Sequence, residues 1–280
     1  MNAHAKLSPI PRAQALGLPD IQARPDPRGL ALDAVGVKGL RHPLNVQGRR
    51  GSQPTVATLD MTVGLSAASK GTHMSRFIEV LEARPDIAGQ AGLRTLVYDM
   101  LARLGASSGC IKMSFPYFVR KSAPVSGTSS LLDYDVTWRG EVDARGTYRY
   151  RMRVTVPVTS LCPCSKEISS YGAHNQRSLI AIEAELDAEM AIEELIAIAE
   201  RNASCEVYGL LKRPDEKYVT ERAYDNPKFV EDLVRDVALA LQAEPRVRAY
   251  RIEAENFESI HNHSAYARIE RPAAFGQTAP

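Results

Sequence analysis

The chain has 280 residues, of which 44% are hydrophobic, so it is long enough to fold as one large domain or as two fused units. This length and composition exclude a disulfide-rich miniprotein and a disordered tail. Lys and Arg number 35 against 33 Asp and Glu, which leaves a formal net charge of only +2. Because so small a charge provides no strong positive field for a phosphate polymer, we expect no nucleic-acid partner.

The cysteines are distributed unevenly along the chain. They stand at positions 110, 162, 164 and 205, and two of them share one tripeptide, unlike the spacing of a secreted disulfide framework. Residues 1–18 lack the apolar segment of a signal peptide, and no run of 18 apolar residues occurs. We therefore expect a cytoplasmic protein in a reducing compartment, without a membrane partner.

The first 54 residues carry frequent proline, glycine and arginine, which disfavours regular structure. We predict an N-terminal arm and loops over residues 1–54. Apolar and polar residues then alternate over residues 57–65, which predicts a strand with one solvent-facing side. This strand belongs to a first folded module at residues 55–142, whose first strand could begin as early as residue 35.

Two helices and two further strands complete the first module. Apolar residues recur with helical spacing over residues 74–81 and 97–104, with a glycine break between them. Alternation predicts strands at residues 114–119 and 132–138.

The second module, at residues 143–270, repeats the same order of elements with little sequence similarity. Its elements in chain order are predicted at residues 148–156, 180–186, 192–199, 230–241, 250–254 and 265–269. Asn226 and Pro227 have the residue types of a helix N-cap and first helical position, so we place the start of its second helix there. Residues 271–280 form a C-terminal tail.

Each half therefore has the order strand, strand, helix, helix, strand, strand. Two fused α+β modules of this kind fit the usual size of a domain. Each antiparallel sheet can cover one face with its own helices, which leaves unpaired edge strands. We expect other subunits to close those edges, which predicts an oligomeric barrel.

One segment between two strands of the second module carries two thiols and an imidazole. Cys162 and His174 stand at the two mouths of the hairpin, where they can converge on one metal ion, and Cys164 lies close by. Three soft ligands suit an open catalytic site completed by a carboxylate better than a closed structural zinc site. On spacing alone, the alternative that these thiols are loop residues without a partner stays open. Cys110 and Cys205 stand alone beside apolar neighbours and fit buried free thiols.

Three acidic residues and one histidine are further candidates. Glu216 lies in a polar segment between two helices, where a solvated charge is the commoner outcome. Glu231 lies at the border of an apolar helix stripe, so its carboxylate could face a pocket. Glu258 and His261 are three residues apart at a turn, where an acid and an imidazole could share a site. A hydrated hairpin tip is the alternative for this last pair.

Several blocks of the sequence closely resemble the type IB GTP cyclohydrolases, a metal-dependent class. They cover nearly the whole chain beyond residue 18 and stand at residues 19–22, 37–41, 70–77, 160–169 and 256–261. The most specific is the Leu-Cys-Pro-Cys-Ser-Lys run, followed downstream by His174.

The resemblance implies a tandem tunnelling fold of two ββααββ modules, assembled as a homotetramer with active sites where subunits meet. It also implies conversion of GTP and water to formate and 7,8-dihydroneopterin triphosphate, the first step of tetrahydrofolate biosynthesis. One divalent metal per site, manganese, iron or zinc, would activate the water that attacks purine C8.

The resemblance also implies roles for individual residues. The residues that resemble metal ligands are Cys162, His174 and Glu216. Glu231 resembles the carboxylate that anchors guanine, and a carboxylate there can accept both N–H donors of the guanine edge and reject adenine. Glu258 and His261 resemble an acid/base or metal-facing pair, and His261 suits protonation of the nitrogen that leaves C8. Cys162, Glu258 and His261 are thus the expected catalytic residues.

A triphosphate must also be bound by cations and hydrogen-bond donors. The residues available within or near the resembling blocks are Lys70, His73, Arg76, Lys166 and Arg177. For any one of them, a solvated charge or a helix cap is the alternative. Cys164 is either structural or a redox partner that forms a disulfide with Cys162 and inactivates the enzyme.

Three alternative functions remain open at the level of sequence. An archaeal-type relative that uses ferrous iron and yields the cyclic phosphate of dihydroneopterin shares most motifs. A nitrile reductase of queuosine synthesis has the tunnelling fold, but its Glu-Ser-Lys-type nicotinamide motif is missing here. A non-catalytic metal- or pterin-binding protein would hold a structural metal without turnover.

Overall fold

The computed structural model describes residues 19–84 and 89–272, which contain nine strands and six helices. The first half comprises β1 (Leu32–Gly48), β2 (Gly51–Leu65), α1 (Ser75–Glu82), α2 (Gln90–Leu104), β3 (Gly109–Ser122) and β4 (Ser129–Val142). The second half comprises β5 (Tyr148–Leu161), α3 (Pro163–Ile168), β6 (Asn175–Leu186), α4 (Ile192–Arg201), β7 (Cys205–Glu206), α5 (Arg213–Asp225), α6 (Val230–Gln242), β8 (Val247–Asn256) and β9 (Ala265–Arg271). Within these described ranges, no helix combines the length and apolar character needed to cross a membrane.

All the strands belong to one antiparallel sheet. Its order is β1-β2-β3-β4-β5-β6-β8-β9, and the short β7 pairs with β5 beside this path. β4 pairs with β5 from Asp135 opposite Thr155 to Val142 opposite Tyr148, so the sheets of the two modules are continuous. The edges are β1 and β9, each of which pairs with a single neighbour within the described chain. Each edge therefore presents main-chain donors and acceptors to a further strand.

One face of the sheet is apolar and covered by helices. Along β5, Val154, Val156 and Val158 are buried, and the residues between them are half-buried. α2 packs on β3 and β4, α4 packs on β5, and α6 packs on β8. The opposite face carries ion pairs between neighbouring strands, such as Arg151 with Glu185 at 2.9 Å. The period-two pattern of the strands follows from one dry face and one wet face.

The prediction of an arm and loops over residues 1–54 is wrong for its second half. β1 and the start of β2 occupy that half, and the alternative start near residue 35 lies close to the start of β1. Pro43 and Pro54 lie where β1 and β2 pair only with each other. Such positions tolerate proline, because its missing N–H is not needed by a second neighbouring strand. Residues 1–18, and most of the predicted tail, lie outside the described residues.

The second module departs from the predicted order because it also contains α3, β7 and α5. Glu216, predicted in a loop, lies in the first turn of α5. The helix predicted to begin at Asn226 begins instead at Val230, where the Asp232 carboxylate accepts the Phe229 N–H at 3.0 Å as a cap. Asn226 ends α5, and its side-chain amide donates at 2.8 Å to a main-chain carbonyl just before β7. A polar helix followed by a short linker replaces the predicted loop.

The candidate residues divide between two opposite ends of the sheet. The Leu161 end contains the end of β5, the start of β6 and the end of β8. The Leu65 end contains the ends of β2 and β4 and the starts of β3 and β5. β5 connects the two ends with 14 residues. A strand of that length, at 3.3 Å per residue, spans roughly 45 Å.

Candidate metal and substrate site

Cys162 and His174 converge at the Leu161 end of the sheet. Cys162 caps α3: its Sγ accepts a hydrogen bond from the Ser165 N–H at 3.4 Å, and Pro163 occupies the first helical position. The Cys162 N–H donates to the His174 carbonyl at 3.1 Å. The Ser165 hydroxyl donates to the Cys162 carbonyl and accepts the His174 N–H, each at 3.1 Å. The segment predicted as a loop is thus a short helix whose cap fastens Cys162 to His174.

The four cysteines are all free thiols in different surroundings. Cys162 is half-buried and Cys164 is exposed on α3. Cys205 is buried in β7, as predicted. Cys110 is half-buried, and it lines a surface cleft together with Arg139. Burial raises the pKa of both Cys110 and Cys205, which favours inert thiols at these positions.

A buried polar layer, formed by Gln176, Ser160, Ser178 and Asn256, lies beneath His174. His174 Nδ1 is 2.8 Å from Gln176 Oε1, and the Gln176 amide donates to Ser160 Oγ at 3.0 Å. The two serine hydroxyls are 2.8 Å apart, and Ser178 donates to Asn256 Oδ1 at 2.7 Å. None of the four side chains belongs to a residue more than 7% exposed. Polar contacts therefore join β5, β6 and β8 under the imidazole.

Glu258 follows β8 and lies beside His174. Glu258 Oε2 is 3.9 Å from His174 Nδ1, and each side chain is 11% exposed. His261 is exposed on the loop between β8 and β9, where its ring stacks on His263 with 5.2 Å between centroids. The structure brings Glu258 next to the imidazole and leaves His261 at the surface.

Glu216 and Glu231 each lie in the first turn of a helix, and both are exposed. In a single chain the Glu231 carboxylate is therefore open to solvent, and its role in binding guanine stays a prediction. The Lys228 N–H donates to the Leu161 carbonyl at 3.0 Å, so the chain segment that leads into α6 lies beside Cys162. Within residues 19–84 and 89–272, no three His, Cys, Asp or Glu side chains are close enough together to hold a metal ion.

Lys166 and Arg177 lie near Cys162. Lys166 Nζ is 4.3 Å from the centroid of the Tyr224 ring and donates to the Tyr224 carbonyl, which fastens α3 to the end of α5. Arg177 is exposed on β6, and its carbonyl accepts the Phe257 N–H at 3.0 Å. Lys166 thus has a structural partner, whereas the Arg177 side chain lies at the surface.

The remaining candidate substrate-binding residues lie at the opposite, Leu65 end: Lys70, His73 and Arg76. His73 Nε2 is 3.2 Å from Asp20 Oδ2, and both residues line one cleft with Arg76. A hydrogen bond from the Ala23 N–H, assisted by His73, lowers the pKa of Asp20. The structure therefore joins two of the resembling blocks, 19–22 and 70–77, and separates both from Cys162.

The buried polar layer was missed by the sequence analysis, although the pattern contains a signal for it. Ser160 ends the buried side of β5, Gln176 and Ser178 begin that of β6, and Asn256 ends that of β8. Polar residues at core-facing positions of adjacent strands are costly unless they bond to one another. Reading the three strands together would have predicted a hydrogen-bonded layer at this end.

Comparison with known proteins assigns the chain to a family. The family model described as type I GTP cyclohydrolase folE2 matches residues 18–267. The chain belongs to this family. GTP cyclohydrolase FolE2 1 of Dechloromonas aromatica (strain RCB) is 62% identical over 253 residues, which cover 90% of this chain and 95% of the relative. GTP cyclohydrolase FolE2 of Paraburkholderia xenovorans (strain LB400) is 60% identical over 263 residues, which cover 94% and 98%.

Solved structures of urate oxidases share the fold of this FolE2 family member. A highly active mutant of Bacillus sp. TB-90 urate oxidase aligns with a TM-score of 0.51 at 9% identity, covering 86% of this chain and 99% of that one. The uricase from Arthrobacter globiformis aligns with a TM-score of 0.50 at 8% identity, covering 88% and 95%. At such low identity the likeness shows the fold alone, and it confirms the predicted α+β tunnelling fold.

Proposed function

We propose that this chain is a metal-dependent, type IB GTP cyclohydrolase that converts GTP and water to formate and 7,8-dihydroneopterin triphosphate, the first step of tetrahydrofolate biosynthesis. The observation that carries the proposal is the placement of Cys162, His174 and Glu258 at one end of the sheet in a chain of the FolE2 family: the Cys162 N–H bonds to the His174 carbonyl, and the Glu258 carboxylate lies 3.9 Å from the His174 ring. A thiol, an imidazole and a carboxylate are donor types of an open catalytic metal site.

The donor chemistry at the Leu161 end fits a divalent metal. His174 Nδ1 is engaged by Gln176, which leaves Nε2 as the ligand nitrogen. Cys162 would supply the thiolate, and Glu216 or Glu258 the carboxylate oxygen. Manganese, iron and zinc each accept such a mixed set. When bound, the metal would lower the pKa of a water molecule so that hydroxide is available near neutral pH.

The other candidate residues would bind the substrate and move protons. Glu231 can accept the two N–H donors of the guanine edge, which adenine lacks. Glu258 would accept the proton of the water that attacks C8, and His261 would protonate the nitrogen that leaves C8. Because Glu231 and His261 are exposed in one chain, a neighbouring subunit is required to exclude water from these contacts.

We propose that a second subunit completes the site, within a homotetramer. Lys70, His73 and Arg76 lie at one end of the sheet and the candidate metal ligands at the other, so a copy of the chain would bring the two groups together. Unpaired main-chain groups on β1 and β9 favour closure into an oligomeric barrel. These cations, with Lys166 and Arg177, would hold the triphosphate. The free thiols fit a reducing compartment, and we propose the cytoplasm.

Turnover by metal-reconstituted protein tests this function. The protein is stripped of metal, supplied separately with Mn²⁺, Fe²⁺ or Zn²⁺ under reducing conditions, and incubated with GTP. We expect formate and the linear triphosphate pterin, with the most active metal identifying the cofactor. A cyclic phosphate product would instead assign the archaeal-type reaction. No formate with any metal would contradict the proposal and leave a non-catalytic binding protein or a nitrile reductase.

A further inference from the structure

We propose that Gln176 is a positioning residue, which holds His174 in the tautomer that can bind a metal through Nε2. The inference rests on the proposed function, because it takes His174 as a metal ligand. Its basis is the buried polar layer beneath the imidazole.

Gln176 is the partner of His174 Nδ1. Its Oε1 lies 2.8 Å from Nδ1, whereas the nearest Glu258 oxygen lies 3.9 Å away, beyond hydrogen-bond range. The amide oxygen, and not the carboxylate, therefore accepts the Nδ1 proton. Because an amide is neutral, it orients the ring without adding a charge beneath it.

The rest of the layer is consistent with the Gln176 amide oxygen facing the ring. In the structure Gln176 Nε2 donates to Ser160 Oγ at 3.0 Å, and Gln176 Oε1 faces His174 Nδ1. Ser160 then donates to Ser178 at 2.8 Å, and Ser178 donates to Asn256 Oδ1 at 2.7 Å. Each hydroxyl accepts one bond and donates one. The hydrogen bonds therefore run in one direction, from the imidazole to Asn256.

The opposite direction would change what His174 offers to a metal. Both amides and both hydroxyls would have to turn together, and Nδ1 would become an acceptor. The proton of the neutral ring would then sit on Nε2, which would leave that nitrogen without a lone pair for a metal. Ser160 and Ser178 are 0% exposed, so water cannot replace one partner at a time. The layer thus couples the side chains of three strands to one tautomer.

Zinc affinity of three variants tests the proposal, measured by competition with a chromophoric chelator. Gln176→Met removes the acceptor at similar volume, and we expect Zn²⁺ affinity to fall about 10–100-fold. Gln176→Glu keeps an oxygen for the Nδ1 proton but loses the donor to Ser160, so we expect affinity at least equal to wild type with a lower melting temperature. The control is Gln242→Met at the end of α6, which removes an amide that also donates to a hydroxyl, that of Tyr250 at 2.7 Å, but at an exposed position far in sequence from His174. Its affinity should equal that of wild type.

Two results would overturn the proposal. One is unchanged Zn²⁺ affinity in a folded Gln176→Met protein. The other is weaker affinity in Gln176→Glu than in wild type, a result that decides the matter even if Gln176→Met does not fold. Wild-type protein that neither binds Zn²⁺ nor turns over GTP would contradict the proposed function itself, so the two failures can be told apart.

Discussion

At the residue scale, the thiols of Cys162 and Cys164 have different surroundings although only one residue separates them. Cys162 is half-buried, and its Sγ accepts a hydrogen bond from the first turn of α3. Cys164 is exposed on the helix itself. The helix cap thus holds one thiol half-buried against the first turn of α3 and leaves the other at the surface, which a Cys-Pro-Cys spacing alone does not determine.

Replacing each thiol separately tests this difference. We expect Cys162→Ser to lower kcat/KM for GTP by more than about 100-fold. Removing a residue that hydrogen-bonds to a metal ligand usually costs about 10–100-fold, and removing the ligand itself should cost more. The matched control, Cys164→Ser, should retain wild-type turnover. Formate release and bound metal are measured for both. Equal losses in the two variants would contradict the assignment.

A redox switch between Cys162 and Cys164 is tested separately on the wild-type protein. Equal activity in oxidising and reducing buffers would contradict such a switch.

Glu231 is the residue expected to recognise guanine. A hydrogen bond to a charged group contributes about 1.5–3 kcal/mol, so Glu231→Gln should lower kcat/KM for GTP roughly 10–150-fold. The control is Glu221→Gln, an exposed carboxylate of α5 that pairs with Lys217 at 2.6 Å. Steady-state kinetics measures both variants. Equal kcat/KM values for Glu231→Gln and wild type would exclude this residue from guanine binding.

At the element scale, α5 depends on one buried carboxylate. Asp215 accepts the N–H groups of Val125, Ser126 and Lys212, each at 2.8 Å, and the Ser126 hydroxyl at 2.7 Å. Burial acts to raise the pKa of Asp215, but these hydrogen bonds outweigh it and hold the pKa well below its ordinary range. The cap ties α5 to the turn between β3 and β4 and leaves Glu216 on the outer side.

This cap predicts how stability depends on pH. Because the pKa of Asp215 is lower in the folded state, its contribution is present above the unfolded pKa of about 4 and is lost as the pH falls below it. Asp215→Asn turns an amide donor toward N–H donors, so we expect a lower melting temperature at pH 7 and a shallower loss of stability below about pH 4. Thermal melts across pH measure both. The control is Asp225→Asn at the exposed end of α5, and an identical acid limb in Asp215→Asn and wild type would contradict the prediction.

A partly buried cluster of charged side chains also connects the two modules. Lys121 of β3 contacts Glu200 of α4 and Glu206 of β7, each at 2.7 Å, and its Nζ lies 4.6 Å from the centroid of the Tyr208 ring. The Tyr134 hydroxyl donates to Glu200 at 2.9 Å. Burial raises the pKa of Glu200 although Lys121 opposes that change. One ammonium group thus compensates two carboxylates between the halves of the chain.

Removing this ammonium leaves both carboxylates without their cation. We expect Lys121→Met to lower the free energy of unfolding by about 3–5 kcal/mol, as for other buried ion pairs that lose one partner. Denaturant unfolding measures the change. Lys112→Met, an exposed position of the same strand, is the control. A loss no larger than that of the control would show that the cluster contributes little to stability.

At the scale of the whole molecule, the sheet separates the two sets of candidate residues. His73 and Arg76 line a cleft at the Leu65 end, whereas Cys162 and His174 lie at the Leu161 end. β5, with 14 residues, runs between these ends. A site that uses both sets must therefore combine different copies of the chain.

Mixing two inactive variants tests shared sites. Arg76→Ala and Cys162→Ser homo-oligomers should each be nearly inactive. Equimolar co-assembly should restore roughly a quarter of wild-type activity, because about that fraction of sites receives an intact contribution from each of two subunits. Arg84→Ala, mixed with Cys162→Ser, is the control for dilution by an active partner. If a mixture shown to contain both chains recovers no activity, the prediction is contradicted. The two residues would then either act within one chain or not belong to one site.

Most strands and helices, and the resemblance to the family, can be predicted from the order of residues along the chain. Period-two and helical patterns identified β2 to β6, β8, β9, α1, α2, α4 and α6, because each pattern reports which side of an element meets the core. The same patterns did not predict β1, because an edge strand tolerates prolines. They did not predict α5 either, because its sequence is polar and its first turn is held by hydrogen bonds to a distant turn.

Which candidate residues lie next to one another depends on the folded chain. Register between β5, β6 and β8 places Ser160, Gln176 and Asn256 in one layer beneath His174, and the run of the sheet carries His73 to the opposite end. Local patterns give the side of a strand on which a residue lies. Long-range strand pairing determines which residues of distant strands face one another. This pairing cannot be predicted from the residues next to each position in the sequence.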